Sequence, residues 1–130
     1  MDLQKEIENF LNLVREVEND YVYNSGEVNT LDKLTQDYLH DIELGNMDYK
    51  ARAKIATKLR DTRQKRRKCK DKTLIYYPFV EYVKNHKNSI NDLKNVLGSV
   101  RKEAKAQSNR VYIRKVDNAY VTEKYTKTKM

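Results

Sequence analysis

Residues 2–20, DLQKEIENFLNLVREVEND, decide the fold. Leu3, Ile7, Phe10, Val14 and Val17 recur at spacings of 4, 3, 4 and 3, the heptad pattern of a helix that buries one narrow stripe. Leu11 widens that stripe. A stripe of this width makes no core by itself and asks for a partner helix. The composition agrees: of 130 residues, 35% are charged and 38% hydrophobic, with a mean hydropathy of −0.96. Such a chain is poorly suited to one spherical core and well suited to long helices completed by a second subunit. Three Gly and one Pro supply few turns, which argues against a many-stranded sandwich or barrel. The expected class is mainly α, with long antiparallel, coiled-coil-like helices and a short C-terminal β segment. The expected assembly is a homo-oligomer of a single domain, residues 1–130.

Tyr21–Asn29, YVYNSGEVN, carries Asn, Ser and Gly and reads as a connection, or as a helix break at Ser25 and Gly26. Thr30 would then cap a second helix whose face holds Leu31, Leu34, Tyr38 or Leu39, and Ile42. Gly45 and Asn46 supply a stop, since both tolerate positive φ, and Asp48 suits the next N-cap. These elements make up an acidic N-terminal part, residues 1–47. Residues 48–107 form a long basic helix, a Pro kink and a last helix. Ala51, Ala53, Ile55, Ala56 and Leu59 open the long helix, but between Arg60 and Lys72 only Cys69 is apolar, as expected of a solvated or electrostatically engaged helix. Pro78 lacks an N–H and should kink or break the helix near Tyr77. KNHKN, residues 84–88, reads as a loop, and Ser89 as the cap of a helix striped by Ile90, Leu93, Val96 or Leu97, Val100 and Ala104. That helix ends near 107–109. Residues 108–130 form an extended arm and tail, with RVYIRKV at 110–116 prone to β structure.

The charge is divided along the chain. Residues 1–49 hold 3 basic and 12 acidic side chains, residues 50–74 hold 12 and 2, and residues 75–130 hold 12 and 5. The acidic third can pack against the basic middle, within one chain or across a dimer. Alternatively, the basic helix 58–72 can bind nucleic acid through its phosphates. Its charges lie nearly all round the helix, which argues against a one-sided groove reader. No run of 18 apolar residues is present, so no membrane span is expected. The start, MDLQKEIENF, lacks the basic and apolar regions of a secretory signal. A single Cys excludes an intrachain disulfide and fits a reducing interior.

Catalysis finds little support. Gly26, Gly45 and Gly98 make no phosphate loop, and His40 and His86 have no metal-ligand spacing. Neither a cofactor nor a metal is expected. Cys69, between Lys68 and Lys70, is either a thiol made reactive by nearby charge or an incidental small residue. A quieter constellation points to nucleotide binding. Tyr76, Tyr77, Phe79 and Tyr82 offer faces on which a base can stack. Asn91 and Asp92 can hydrogen-bond a base edge or ribose near a helix N-terminus. Arg110, Tyr112 and Arg114, at i, i+2 and i+4, share one face of an extended segment, and two guanidinium forks there can clamp a diphosphate. The plainer alternative is an aromatic core beside a solvated basic strand.

Over most of residues 30–115 the chain resembles a family of small phage proteins, the first-described type of Thoeris anti-defence protein. The resemblance lies in the order and spacing of LHDIELGN at 39–46, KLRDTRQKRRKCKD at 58–71, Pro78 with Phe79, NDLKNVLGSVRK at 91–102 and RVYIR at 110–114. The N-terminal third departs most from the family. The resemblance implies a non-enzyme in the cytoplasm of the infected bacterial host. Such a protein binds glycocyclic ADP-ribose, the messenger made by Thoeris TIR-domain proteins, and holds it intact so that the NADase effector stays off. It also implies helical dimers that assemble into hexamers as trimers of dimers. Phe79 would stack on the adenine, Asn91 or Asp92 would contact base or ribose, and Arg110 and Arg114 would bind the phosphates beside Tyr112. A second site for cyclic oligonucleotides would lie at Arg60 and Arg63.

Overall fold

In a computed structural model that describes residues 1–111, the chain forms three helices: α1 (Leu3–Leu44), α2 (Tyr49–Asn85) and α3 (Lys87–Ser108). The mainly α class is as expected, and no strand occurs among the described residues. Arg110 and Val111 follow α3 without pairing into a sheet. The rest of the expected β segment, with Tyr112 and Arg114, lies outside the described residues.

The expected connection at residues 21–29 is not there. α1 runs unbroken for 42 residues, about 63 Å at 1.5 Å per residue. The heptad explains why. Continued from Ile7 and Phe10, it passes through Tyr21, Asn24, Val28, Leu31, Thr35 and Tyr38. Asn24, Leu31 and Thr35 are buried. Gly26 falls on the outermost position of the repeat and is exposed, so its cost of about 1 kcal/mol is outweighed by packing on the opposite face. Thr30 therefore caps nothing. At the C-terminus Gly45 is the cap, but in an extended conformation (φ −78°, ψ 143°) rather than at positive φ. Its reason for being Gly is space: a Cβ there would collide with the Asp41 carbonyl oxygen, which accepts the Gly45 N–H at 2.9 Å. Asp48 caps α2 as expected, its Oδ1 accepting from Ala51 N at 2.8 Å.

α2 returns antiparallel to α1. Arg66 Nε donates to Asp32 Oδ1, Lys65 Nζ lies 3.9 Å from Glu27, and the Tyr76 hydroxyl donates to Asp20 Oδ2 at 3.3 Å. Its inward residues also follow a heptad: Leu59, Thr62, Arg66, Cys69, Thr73, Tyr76, Val80 and Val83. The basic stretch is thus not solvated all round. Thr62, Cys69 and Thr73 are buried against α1, and only the other faces of that stretch meet water.

Pro78 does not break α2, which continues to Asn85. Like Gly26, it occupies the outermost heptad position and is exposed. The Leu74 carbonyl that loses its partner belongs to a residue 59% exposed, where water can replace the N–H. The break comes eight residues later, and it is a single residue. His86 (φ −125°, ψ 29°) separates α2 from α3, so the expected five-residue loop and the Ser89 cap are absent. The His86 ring stacks on Tyr82, with centroids 4.2 Å apart. α3 continues along α1 in the direction of α2, since Ile90 packs with Val14 and Arg101 pairs with Glu8 at 3.0 Å. The apolar core sits where all three helices meet. Val14, Val83 and Ile90 form its centre, with Phe10, Leu11 and Phe79 packed against it.

Candidate functional site

The helix break creates an open-sided cleft of about 440 Å³ between α1, the end of α2 and the first turns of α3. Its floor is Leu11, Val14, Val83 and Ile90. Its rim carries three cations, Arg15, Lys87 and Lys94, and two amides, Asn12 and Asn91. Arg15 Nη2 donates to Asn12 Oδ1 at 2.8 Å, which fixes the guanidinium over α1. Glu18 is the one acidic lining residue and opposes an anion at its end of the cleft. Apolar floor plus convergent donors is the usual construction of a small-molecule site, and the size is adequate for a nucleotide.

Asn91 is therefore placed in a cleft, but not for the expected reason. Because α3 starts at Lys87, Asn91 and Asp92 lie in its second turn, away from the free amides of its N-terminus. Asp92 is exposed and does not line the cleft. Phe79 is half-buried against the core, so part of its ring is committed to Val14, Val83 and Ile90. The aromatic residues do not form one platform. Tyr76 faces Asp20, Phe79 joins the core, and Tyr77 and Tyr82, each 51% exposed, occupy heptad positions on opposite flanks of the hairpin. Arg110 is exposed just beyond α3, 19 residues from Asn91 and thus about 28 Å along the axis. One chain does not bring Phe79, Asn91 and Arg110 together. Reading the sequence missed Arg15, Lys87 and Lys94, which only the packing of α3 on α1 brings together.

Arg60 and Arg63 do come together. They line a second, shallower cleft of about 380 Å³ on α2, with Arg67, Lys70 and Leu74 continuing the stripe and Asp71 as an acidic residue in the lining. Arg60 pairs with Asp61 of its own helix at 3.3 Å, whereas Arg63, Arg67 and Lys70 make no ion pair among the described residues. Cys69 is a free thiol buried in the seam, neither incidental nor accessible. Among the described residues no His, Cys, Asp and Glu side chains gather as metal ligands, and no helix is long and apolar enough to cross a membrane. No protein-family model, curated protein or solved structure matches the chain.

Proposed function

We propose that the chain is a non-catalytic binding protein that captures a small nucleotide. The observation that carries this reading is the cleft at the helix break, where Arg15, Lys87 and Lys94 stand with Asn12 and Asn91 over an apolar floor. Cations supply the affinity for a diphosphate, the amides can read a base edge or ribose, and the floor accepts the base. Nothing about the task requires turnover. A sponge needs slow release and abundance.

The finer reading is sequestration of glycocyclic ADP-ribose, blocking activation of a Thoeris effector in the infected host's cytoplasm. It rests on the family resemblance of the sequence motifs. Under this reading the working unit is a homo-oligomer, a dimer or a trimer of dimers. A second chain would carry an Arg110 toward the Asn91 of the first, which lies 19 residues from the Arg110 of its own chain. Incubating the protein with glycocyclic ADP-ribose, filtering, then heating the retained protein tests it. Depletion from the filtrate followed by release of intact ligand is expected. Substituting Asn91→Ala with Lys94→Ala, or Arg110→Ala with Arg114→Ala, should abolish capture without loss of the helical CD signal. Ligand passing undiminished into the filtrate ends this reading.

A further inference from the structure

Folding sorts the cations of α2 by type. The heptad puts Arg60, Arg63 and Arg67, with Lys70, on the flank where Arg66 meets Asp32. It puts Lys58, Lys65, Lys68 and Lys72 toward the other flank, where Lys65 meets Glu27. The arginine flank has a continuation. Stepping 3, 4, 3, 4 and 3 residues from Arg60 gives Arg63, Arg67, Lys70, Leu74 and Tyr77 on one stripe, about 26 Å long. Leu74 is 59% and Tyr77 51% exposed, so the stripe passes from cations to an open apolar and aromatic platform. On α1 the level neighbour is Val22, 69% exposed.

We infer that this stripe is a binding track for single-stranded nucleic acid. Guanidinium forks match phosphate oxygens and keep their charge, and on the opposite flank Lys65 already faces Glu27 at 3.9 Å. Three of the four cations have no carboxylate partner among the described residues, so a polyphosphate displaces no ion pair from them. Tyr77 and Leu74 supply faces for unstacked bases, which a duplex does not offer. The track shares no lining residue with the cleft at the helix break and stands independently of it.

The test is fluorescence anisotropy of the full chain with a labelled oligothymidylate of about 20 nucleotides, at about 50 and about 200 mM salt. Four cations on the track predict a slope of log K against log salt near −3, and Arg63→Ala with Arg67→Ala should reduce it by about 1.4 units. Tyr77→Ala should weaken binding about fivefold or more, while Tyr77→Phe retains it. CD should show the helices intact in every variant. Absence of binding at the lower salt, or unchanged binding by the Arg63/Arg67 pair, overturns the assignment. So does a duplex of equal length that binds as tightly. Sedimentation gives the remaining outcome: self-association that the Arg63/Arg67 substitutions abolish and oligothymidylate does not disturb would assign the flank to a second copy instead.

Discussion

The two stretches of the hairpin seam are built from different materials. Where α1, α2 and α3 meet, the seam is aliphatic and aromatic: Val14, Val83 and Ile90 at the centre, Phe10, Leu11 and Phe79 around them. Midway along, the buried positions are Asn24, Thr35, Thr62, Cys69 and Thr73, with Leu31 the one large apolar side chain among them. The polar groups there look inward to their own helices. Asn24 Nδ2 donates to the Asp20 carbonyl, Thr35 Oγ1 to Leu31 and Thr73 Oγ1 to Lys70. None ties α1 to α2, although no buried side-chain polar atom is left unsatisfied among the described residues. Adhesion therefore belongs to the three-helix junction. The middle contributes small, matched side chains and the cross-helix ion pairs, which favour one register over its neighbours.

This contrast can be broken first at the junction. Ile90→Ala should cost about 2–4 kcal/mol in urea unfolding, because it removes a buried side chain from the core where all three helices meet. A cost under about 0.5 kcal/mol, the range of an ordinary surface change, would mean that the junction is not the source of stability. The middle should respond in the opposite direction. Asn24→Leu adds apolar burial and orphans nothing on α2, so it should stabilise by about 1.5 kcal/mol. The expected price is a loss of register, visible as doubled or broadened amide resonances near Thr73.

Gly26→Ala comes next. A Cβ at that position meets nothing within 4 Å, so the thermal midpoint should rise by the equivalent of about 1 kcal/mol. A fall would show that α1 bends there in solution. The smallest effect concerns the tie of α3 to α1. The Gln4 amide, hydrogen-bonded to Glu8 at 3.0 Å, and then the Arg101 guanidinium hold the Glu8 carboxyl below its ordinary pKa. A depressed carboxylate stabilises the fold above its unfolded pKa and loses that contribution as pH falls through the folded one. Amide exchange in α3 should quicken slightly below the usual carboxylate range, and Arg101→Gln should quicken it already at neutral pH.

Much of the hairpin is legible in the residues. The seam of Ile7, Phe10 and Val14 announces an amphipathic helix, Asp48 announces a cap, and the end of α3 falls where Gln107 to Asn109 suggest. What stays hidden has one physical cause. Periodicity is found by counting apolar side chains, and Thr62, Arg66, Cys69 and Thr73 keep the spacing of a seam without its chemistry. The same blindness makes Asn24 look like a turn residue. Gly26 and Pro78 mislead for a related reason: both disfavour helix locally, and both are tolerated because they face water. The candidate site was less readable still. Asn91 could be named, but Arg15 belongs to a helix 76 residues away in sequence, and only tertiary packing makes it a neighbour.

His86 has a mechanical consequence. As the sole residue between α2 and α3, it sets the direction of a rod of 22 residues, about 33 Å long. A change of about 10° in its backbone would carry the tip of that rod, and Arg110 with it, through about 6 Å. The reach of the C-terminal arginine is thus set by two torsion angles at His86, by the buried Ile90 and Leu97 that hold α3 in place, and by the Glu8–Arg101 contact partway along its length.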